Sequence, residues 1–154
     1  MNIKIRKATE TDLNCICTFN KNIAFETEHI FLDDEKIQNG VINLLKNPSY
    51  GYYIVAEIEN KIVGQLMITF EWSDWRNGLF LWIQSVYVLP EFRNKGIYRT
   101  LYNYVLTNAK SNKNVCGIRL YVEKNNKTAR SVYNKLGMNE AEYAMYETDF
   151  VIKR

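Results

Sequence analysis

The chain has 154 residues, of which 47% are hydrophobic and 24% charged, and its formal net charge is +3. This length and balance predict a single globular domain spanning residues 1–154 with a buried core, and they argue against a disordered chain. No apolar run reaches membrane-spanning length, and the first residues enter a strand pattern rather than a signal peptide, so we expect no membrane partner.

The cysteines and the histidine restrict the chemistry. Cys15, Cys17 and Cys116 form an odd set without metal-site spacing, which favours reduced thiols in a cytoplasmic protein. His29 is the only histidine, which leaves little room for a histidine-based metal site or a hydrolase triad, and we expect no metal. Neither Cys15 nor Cys17 has a basic partner in its local sequence, so a cysteine nucleophile is not expected.

Charge is distributed unevenly along the chain. Residues 1–85 carry 8 Lys and Arg against 11 Asp and Glu, whereas residues 86–154 carry 12 against 6. This asymmetry suits a polyanionic ligand beside the second half and a cationic one beside the first. Solvated helix faces are the alternative for most of the lysines. The acidic first half, and the lack of a helix-turn-helix, zinc or RNA-binding signature, predict no nucleic-acid partner.

Hydrophobic periodicity and capping residues predict the elements in chain order. The first part of the chain has a strand at 3–6, a helix after the capping box Thr9–Asp12, and a second helix capped by Asp33 or Asp34 and ended by Asn47–Pro48. Three strands follow at 52–58, 62–70 and 79–89, and then a helix after Gly96. The last part has a strand at 118–122, a helix over 129–136 closed by Gly137, and one or two final strands within 142–151. This order predicts an α/β sandwich around a mixed sheet.

The most informative segment is the turn that follows the strand at 79–89. It reads Arg93-Asn94-Lys95-Gly96-Ile97-Tyr98-Arg99 and opens a helix at a glycine flanked by cations. Free backbone N–H groups and the helix dipole at such a turn suit a phosphate or pyrophosphate, and Gly96 lets the backbone approach it closely. Arg93 and Arg99 could add charge-assisted contacts. An ordinary helix start with a solvated basic face is the alternative.

This turn resembles the pyrophosphate loop of the GNAT acetyltransferases, whose pattern is Gln/Arg-x-x-Gly-x-Gly/Ala. Tyr98 stands where that family usually keeps a small residue. The element order is also that of the GNAT fold, so the resemblance covers nearly the whole chain. It implies the acyl-CoA N-acyltransferase fold, with a mixed, mostly antiparallel central sheet flanked by helices, and acetyl-CoA as the acyl donor, held at residues 93–99.

A second motif, from Asn126 to Tyr133, is similar to the family's Asn-x-x-Ala-x-x-x-Tyr. The resemblance implies that Asn126 binds the pantetheine arm of CoA and that Tyr133 is the general acid that protonates the departing thiolate. A phenol near the sulfur can deliver that proton as the thioester breaks. Tyr133 also falls on the apolar stripe of its helix, so a core tyrosine is the alternative.

The family's third element is the strand before the turn. There the strand splays from its neighbour at a bulge, and its free backbone groups pair with pantetheine. By motif position these groups belong to Val86, Tyr87 and Val88, and the Val86 amide is a candidate oxyanion donor. Simple strand pairing is the alternative.

A general base is less clearly indicated. Some polyamine-acetylating relatives have a glutamate nine residues before the loop arginine, where this chain has Gln84, and an amide is not a base. Glu26, Glu28 and His29 lie at the end of the first helix pattern, and Glu28 is our candidate among them. A protonated amine could instead lose its proton directly to water.

The acceptor is expected to be a small-molecule amine. Aromatic faces and one carboxylate could hold an ammonium group; they are Tyr50, Tyr52, Trp72, Asp74, Trp75 and Trp82. The passage from Thr69 to Trp75 is similar to the same region of small diamine and thialysine acetyltransferases, although these aromatics equally suit a core or a dimer interface. Dimers are common in the family, so the resemblance also allows a homodimer.

These observations favour an N-acetyltransferase that transfers an acetyl group from acetyl-CoA to a primary amine by direct attack in a ternary complex. The alternative is a GNAT-fold module that binds acyl-CoA as a sensor or a partner-binding domain without turning it over. Gln84, Tyr98 and the missing base motivate that alternative.

Overall fold

The computed structural model describes residues 1–152, which form two compact units. The first unit is Met1–Tyr121 and the second begins at Val122. The first contains β1 (Lys4–Lys7), α1 (Leu13–Glu28), α2 (Asp34–Lys46), β2 (Tyr52–Ile58), β3 (Lys61–Ser73), β4 (Gly78–Val88), α3 (Ile97–Ser111) and β5 (Val115–Leu120), with short 3₁₀ turns at Glu10–Asp12 and Pro90–Phe92; the second contains α4 (Lys127–Lys135).

The five strands form one sheet in the order β1-β2-β3-β4-β5. The pairs β1–β2, β2–β3 and β3–β4 are antiparallel, whereas the pair β4–β5 is parallel. The parallel pairing follows from α3, because a parallel neighbour requires a crossover connection, usually a helix. The sheet is therefore mixed and mostly antiparallel, as predicted.

Helices cover both faces of this sheet. Gln65 on β3 bonds to Asn20 of α1, whereas a side chain at the preceding Gly64 would point at Ile97 of α3. Consecutive strand residues point to opposite faces, so α1 and α3 lie on opposite sides. Tyr53 packs with residues of α1 and α2 in one buried cluster, which places α2 on the α1 side.

The predicted helix starts are observed with their capping residues. Thr9 and Asp12 make the expected capping box, although the first turn there is 3₁₀ and α1 proper begins at Leu13. Asp33, rather than Asp34, caps α2 by accepting a bond from the Lys36 amide at 2.8 Å. None of the helices in residues 1–152 is long and apolar enough to cross a membrane.

β5 begins three residues earlier than predicted and ends at Leu120 rather than at residue 122. Gly117 interrupted the apolar pattern in the sequence. In the structure a Cβ at Gly117 would lie 2.4 Å from the Phe80 ring, so the glycine makes room for an aromatic ring on the neighbouring strand. This contact between distant residues gave no local signal.

The prediction of final strands within 142–151 was wrong. Among the described residues of the second unit, none after Lys135 belongs to a helix or strand. The apolar side chains that suggested a strand are exposed, with Tyr146 at 95% and Phe150 at 89%. Strand propensity reflects packing on a pleated, half-buried surface, and exposed side chains lack that stabilisation.

Candidate functional site

The expected bulge lies near the end of β4. Gln65 is opposite Tyr87 and Met67 is opposite Gln84, so Leu66 alone on β3 faces both Ser85 and Val86. Ser85 takes a left-handed conformation, with φ of 49°. One residue against two is the definition of a β-bulge, and such bulges bend the strand locally.

β5 separates from β4 at the same level. Their last paired residues are Ile83 and Leu120, whereas β4 continues to Val88. Within the described chain, β5 therefore offers no partner to β4 beyond Ile83. Strand backbone carries donors and acceptors along both edges, so Val86, Tyr87 and Val88 lie where an extended ligand could pair with main chain.

The turn after β4 contains two residues with positive φ immediately before α3. Asn94 and Gly96 have φ of 61° and 81°, and α3 begins at Ile97. A Cβ added to Gly96 would meet no atom within 4 Å, so the space beside this backbone is open. The first N–H groups of any helix lack intrahelical acceptors and carry its positive dipole end.

Side chains around the turn differ in their exposure to solvent. Ile97 is 1% exposed in the core, whereas Asn94, Lys95 and Arg99 are exposed. Tyr98 is partly buried, and its ring centroid lies 6.3 Å from that of Tyr102, one helical turn further along α3. The large residue at the family's small position thus packs beside a neighbour on its own helix.

Arg93 has partners that sequence reasoning did not anticipate. Its Nε donates to the Val88 carbonyl at 2.9 Å, and its guanidinium donates to Glu26 Oε2 at 2.7 Å. Glu26 also accepts from the Tyr87 hydroxyl at 3.2 Å. This carboxylate of α1 thereby links β4 to the turn, and the Arg93 side chain is directed at protein groups.

Tyr87 lies between α1 and the turn. Its hydroxyl accepts from Asn22 Nδ2 at 3.2 Å, and burial raises the pKa of its phenol. Its ring lies 4.9 Å from that of Phe19 on α1. The side chain therefore anchors the end of β4 to α1.

The candidate bases occupy the end of α1. Glu28 is exposed at the last residue of this helix, and His29 follows in a left-handed conformation with φ of 56°. Gln84 is held instead by neighbouring side chains: its Nε2 donates to Thr69 Oγ1 at 2.6 Å, and its Oε1 accepts from the Tyr121 hydroxyl at 3.4 Å.

The aromatic residues considered for the acceptor are mostly exposed. Trp75 is 85% exposed, and Trp72 and Tyr50 are exposed as well. Trp82 lies with its ring centroid 5.9 Å from that of Tyr121, on the strand that carries the bulge. Asp74 accepts a bond from the Trp75 amide, so this carboxylate orders its own turn.

The second motif lies in the second unit. The Asn126 Oδ1 accepts from the Ala129 amide at 3.0 Å and caps α4, which leaves the donors of its amide group for other partners. Tyr133 is partly buried, and burial raises the pKa of its phenol. A tyrosine phenol is protonated at neutral pH even without this shift, so its hydroxyl carries a proton that it can donate.

The chain is similar to one protein family and to a solved structure of high identity. The model of the "Acetyltransferase (GNAT) family" matches residues 12–138. A solved structure described as a possible acetyltransferase from Clostridium difficile is 47% identical and has a TM-score of 0.90; the match covers 99% of this chain and 100% of that one.

Two more distant structures share the fold. A predicted acetyltransferase with acetyl-CoA from Clostridium acetobutylicum is 23% identical, with 96% of each chain covered and a TM-score of 0.77. A transcriptional regulator from Bacillus halodurans is 22% identical, with 97% of this chain and 100% of that chain covered and a TM-score of 0.81. No curated protein matches the sequence significantly. The family model and the 47% identical structure show that this chain belongs to the GNAT acetyltransferase family.

Proposed function

We propose that this protein is an N-acetyltransferase that moves an acetyl group from acetyl-CoA to a primary amine of a small molecule. One observation carries the proposal: the bulge at Ser85–Val86, where β5 leaves β4, is followed directly by the turn that opens α3. A free strand edge that leads into a helix N-terminus suits an extended ligand with a pyrophosphate at one end. The likeness in fold to a structure with acetyl-CoA supports the choice of ligand.

In this proposal the backbone does most of the donor binding. The amides of Asn94–Arg99 hold the pyrophosphate, and the exposed cations Lys95 and Arg99 add charge. The main chain of Val86–Val88 pairs with the pantetheine arm. For Asn126, which lies in the second unit, the match to the family motif supports a contact with CoA. Arg93 borders the proposed site but is held by protein groups, because its side chain is bound to Glu26 and Val88 and its amide donates to the Pro90 carbonyl at 3.2 Å.

The proposed chemistry is direct transfer. The neutral amine nitrogen forms a bond to the thioester carbonyl carbon, and the Val86 amide donates to the developing oxyanion. The carbon–sulfur bond then breaks as the oxyanion re-forms the carbonyl, and the Tyr133 hydroxyl gives its proton to the departing sulfur. The attacking nitrogen loses its extra proton to water, and the Tyr133 phenolate takes a proton back from solvent. Glu28 is the proposed base for an ammonium substrate; its exposure at the end of α1 gives the proton a route to water.

A second candidate is a GNAT-fold sensor that binds acyl-CoA without turnover. It is favoured by Gln84, which stands where some relatives have a glutamate and whose amide is bonded to Thr69. An amide cannot take up the proton of an amine. Both candidates require acyl-CoA binding, and only the first requires release of a thiol.

The first test is binding followed by turnover. Acetyl-CoA should raise the melting temperature of the protein, since a ligand that binds the native state stabilises it. No shift at saturating ligand would contradict both candidates. Thiol release should then be measured with polyamines, amino acids, aminoglycosides and peptides. Turnover with one of these amines supports the enzyme, and binding without turnover supports the sensor.

The proposed acid is tested by Tyr133→Phe, with the exposed Tyr143→Phe as the matched control. We expect Tyr133→Phe to lower kcat by roughly a hundredfold, because positioned general acids contribute about that factor. Its acetyl-CoA affinity should change little, and Tyr143→Phe should behave as wild type. An unchanged kcat in Tyr133→Phe would remove this residue from the mechanism.

We also propose that residues 1–154 form one functional domain, because the family model spans residues 12–138 and so includes residues of both compact units. The three cysteines carry free thiols, as a cytoplasmic protein would keep them. A homodimer stays a prediction that sedimentation can check.

A further inference from the structure

A group of buried polar side chains lies directly beneath the bulge of β4. Gln65 on β3 is 0% exposed, and Asn20 on α1 and Tyr53 on β2 are 7% and 4% exposed. Buried polar side chains are costly unless they are hydrogen-bonded, so their partners indicate what they stabilise.

Gln65 connects this group to the bulge. Its Nε2 donates to Asn20 Oδ1 at 3.0 Å and to the main-chain carbonyl of Ser85 at 3.2 Å. The amide nitrogen has two protons, so both are used. Asn20 in turn donates from Nδ2 to the Tyr53 hydroxyl at 2.9 Å, which fixes its orientation.

The other end of the Gln65 amide shows that packing alone does not explain this residue. Its Oε1 is buried and has no hydrogen-bond partner in the structure. An apolar side chain of similar size would avoid that unpaired oxygen. The two donor contacts are therefore what distinguishes glutamine from an apolar residue at this position.

The Ser85 carbonyl determines the direction of the next amide. No peptide bond in the described chain is cis. In a trans peptide the carbonyl and the following N–H point in opposite directions. A Ser85 carbonyl that points towards Gln65 therefore turns the Val86 N–H away from the core. Ser85 reaches this arrangement with φ of 49°, a conformation that residues other than glycine rarely adopt.

We propose that Gln65 is a positioning residue. It is oriented by Asn20, which is itself bonded to Tyr53, and it donates a hydrogen bond to the Ser85 carbonyl. This bond fixes the Ser85–Val86 peptide so that the Val86 N–H points towards the reacting carbonyl. The proposal rests on the function proposed above, in which that amide binds the oxyanion. Gln65 itself touches no substrate. Its effect should therefore appear in the chemical step rather than in donor binding.

The central test is Gln65→Met, which keeps the size of the side chain and removes both donors. The matched control is Val41→Ala, a core substitution on α2. We expect Gln65→Met to lower kcat at least ~tenfold with little change in the KM for acetyl-CoA, because small misplacements of a catalytic group cost about that much or more. Val41→Ala should keep its kcat at temperatures where it is folded.

A second measurement does not depend on activity. In the protein without ligand, the amide resonances of Ser85 and Val86 should shift or broaden in Gln65→Met, because the left-handed conformation loses its clamp. The same resonances should be unchanged in Val41→Ala. Unaltered Ser85 and Val86 resonances in Gln65→Met would overturn the proposal.

Tyr53→Phe provides a milder variant if Gln65→Met fails to fold. It removes the acceptor of Asn20 and the hydroxyl contact of Tyr53 with Ser85, and it leaves the Gln65–Ser85 bond in place, so a several-fold fall in kcat at constant KM is expected. A wild-type kcat in both variants would contradict the positioning role. A wild-type protein that binds acetyl-CoA and acetylates none of the amines would instead contradict the proposed function, so the two failures are distinguishable.

Discussion

Arg6 forms the most extensive ion pair of the first unit. Its guanidinium donates to Asp12 at 2.7 Å and 2.9 Å, and its Nε donates to Glu57 at 2.8 Å. The pair joins β1, the start of α1 and β2. Arg6 holds the pKa of the Asp12 carboxyl below its usual range, with the Thr9 amide as a further donor to the carboxylate. Removing the Asp12 charge leaves Glu57 as the remaining carboxylate partner of Arg6 and weakens two charge-assisted hydrogen bonds.

Asp12→Asn should therefore destabilise the protein in a pH-dependent manner. We expect a loss of about 2 kcal/mol in the free energy of unfolding at neutral pH. A depressed carboxyl pKa contributes stability above the ordinary value of 3.8, and this contribution disappears as the pH falls through the folded-state pKa. The difference between the two proteins should thus shrink below about pH 4.

Asp34→Asn is the control for this measurement, because the Lys21–Asp34 pair is exposed. Exposed pairs contribute at most ~1 kcal/mol, so this variant should differ little from wild type at any pH. Denaturant unfolding across the acid range provides the comparison. A loss in Asp12→Asn that stays constant down to the lowest pH would show that its charge is not the cause.

At the scale of elements, the start of α3 depends on one backbone conformation. Gly96 has φ of 81° and stands at the N-cap, followed by Ile97 in the core. Side-chain capping is absent there, so the glycine supplies the conformation rather than a bond. Because the space beside Gly96 is open, an added methyl group would not collide with other protein atoms. It would be disfavoured by backbone strain, and it would obstruct a ligand bound at this position.

Gly96→Ala should lower stability by about 1 kcal/mol, because residues with a Cβ disfavour the left-handed region. It should also weaken acetyl-CoA binding several-fold, since the methyl group would face the proposed pyrophosphate. Gly40→Ala is the matched control: it lies in α2, where an added Cβ meets no atom within 4 Å, and should stabilise the protein by about 1 kcal/mol. Equal acetyl-CoA affinity in Gly96→Ala and wild type would contradict the proposed cradle.

Local signals predicted most elements well, and their failures have identifiable causes. β2 was predicted with its observed bounds, because alternation and the following turn are encoded within a few residues. The predicted bounds of β5 were shifted, because Gly117 makes room for the Phe80 ring on another strand, and the local sequence does not show this contact. The final strands were wrong, because propensity alone does not supply a packed, pleated surface.

The charge asymmetry belongs to the scale of the whole molecule. Residues 86–154 hold 12 of the 20 lysines and arginines, against 6 of the 17 acidic residues. Several of these cations have protein partners, such as Arg119 with Glu71 and Arg130 with Glu140. Lys95 and Arg99 are exposed beside the turn, where they would meet a polyanion.

Acetyl-CoA affinity should therefore fall as the salt concentration rises. Exposed charges are screened over about 10 Å at ~0.1 M salt and over about 3 Å at ~1 M, so a several-fold rise in Kd is expected across that range. Titration calorimetry in chloride buffers measures it. Lys36→Met, an exposed cation in the acidic first half, should leave this salt dependence unchanged, whereas Lys95→Met should reduce it. A Kd independent of salt would contradict an electrostatic contribution.

The sequence by itself determined the family and the order of the main elements, and it is the origin of the proposed donor loop at residues 93–99. These are encoded in periodicity, capping residues and short motifs, all of which act over a few residues. Only the tertiary structure decided that Arg93 binds Glu26, that the bulge falls at Ser85–Val86, and that Gln65 holds it from beneath. The physical reason is that these contacts join residues far apart in the chain, so no local pattern could report them.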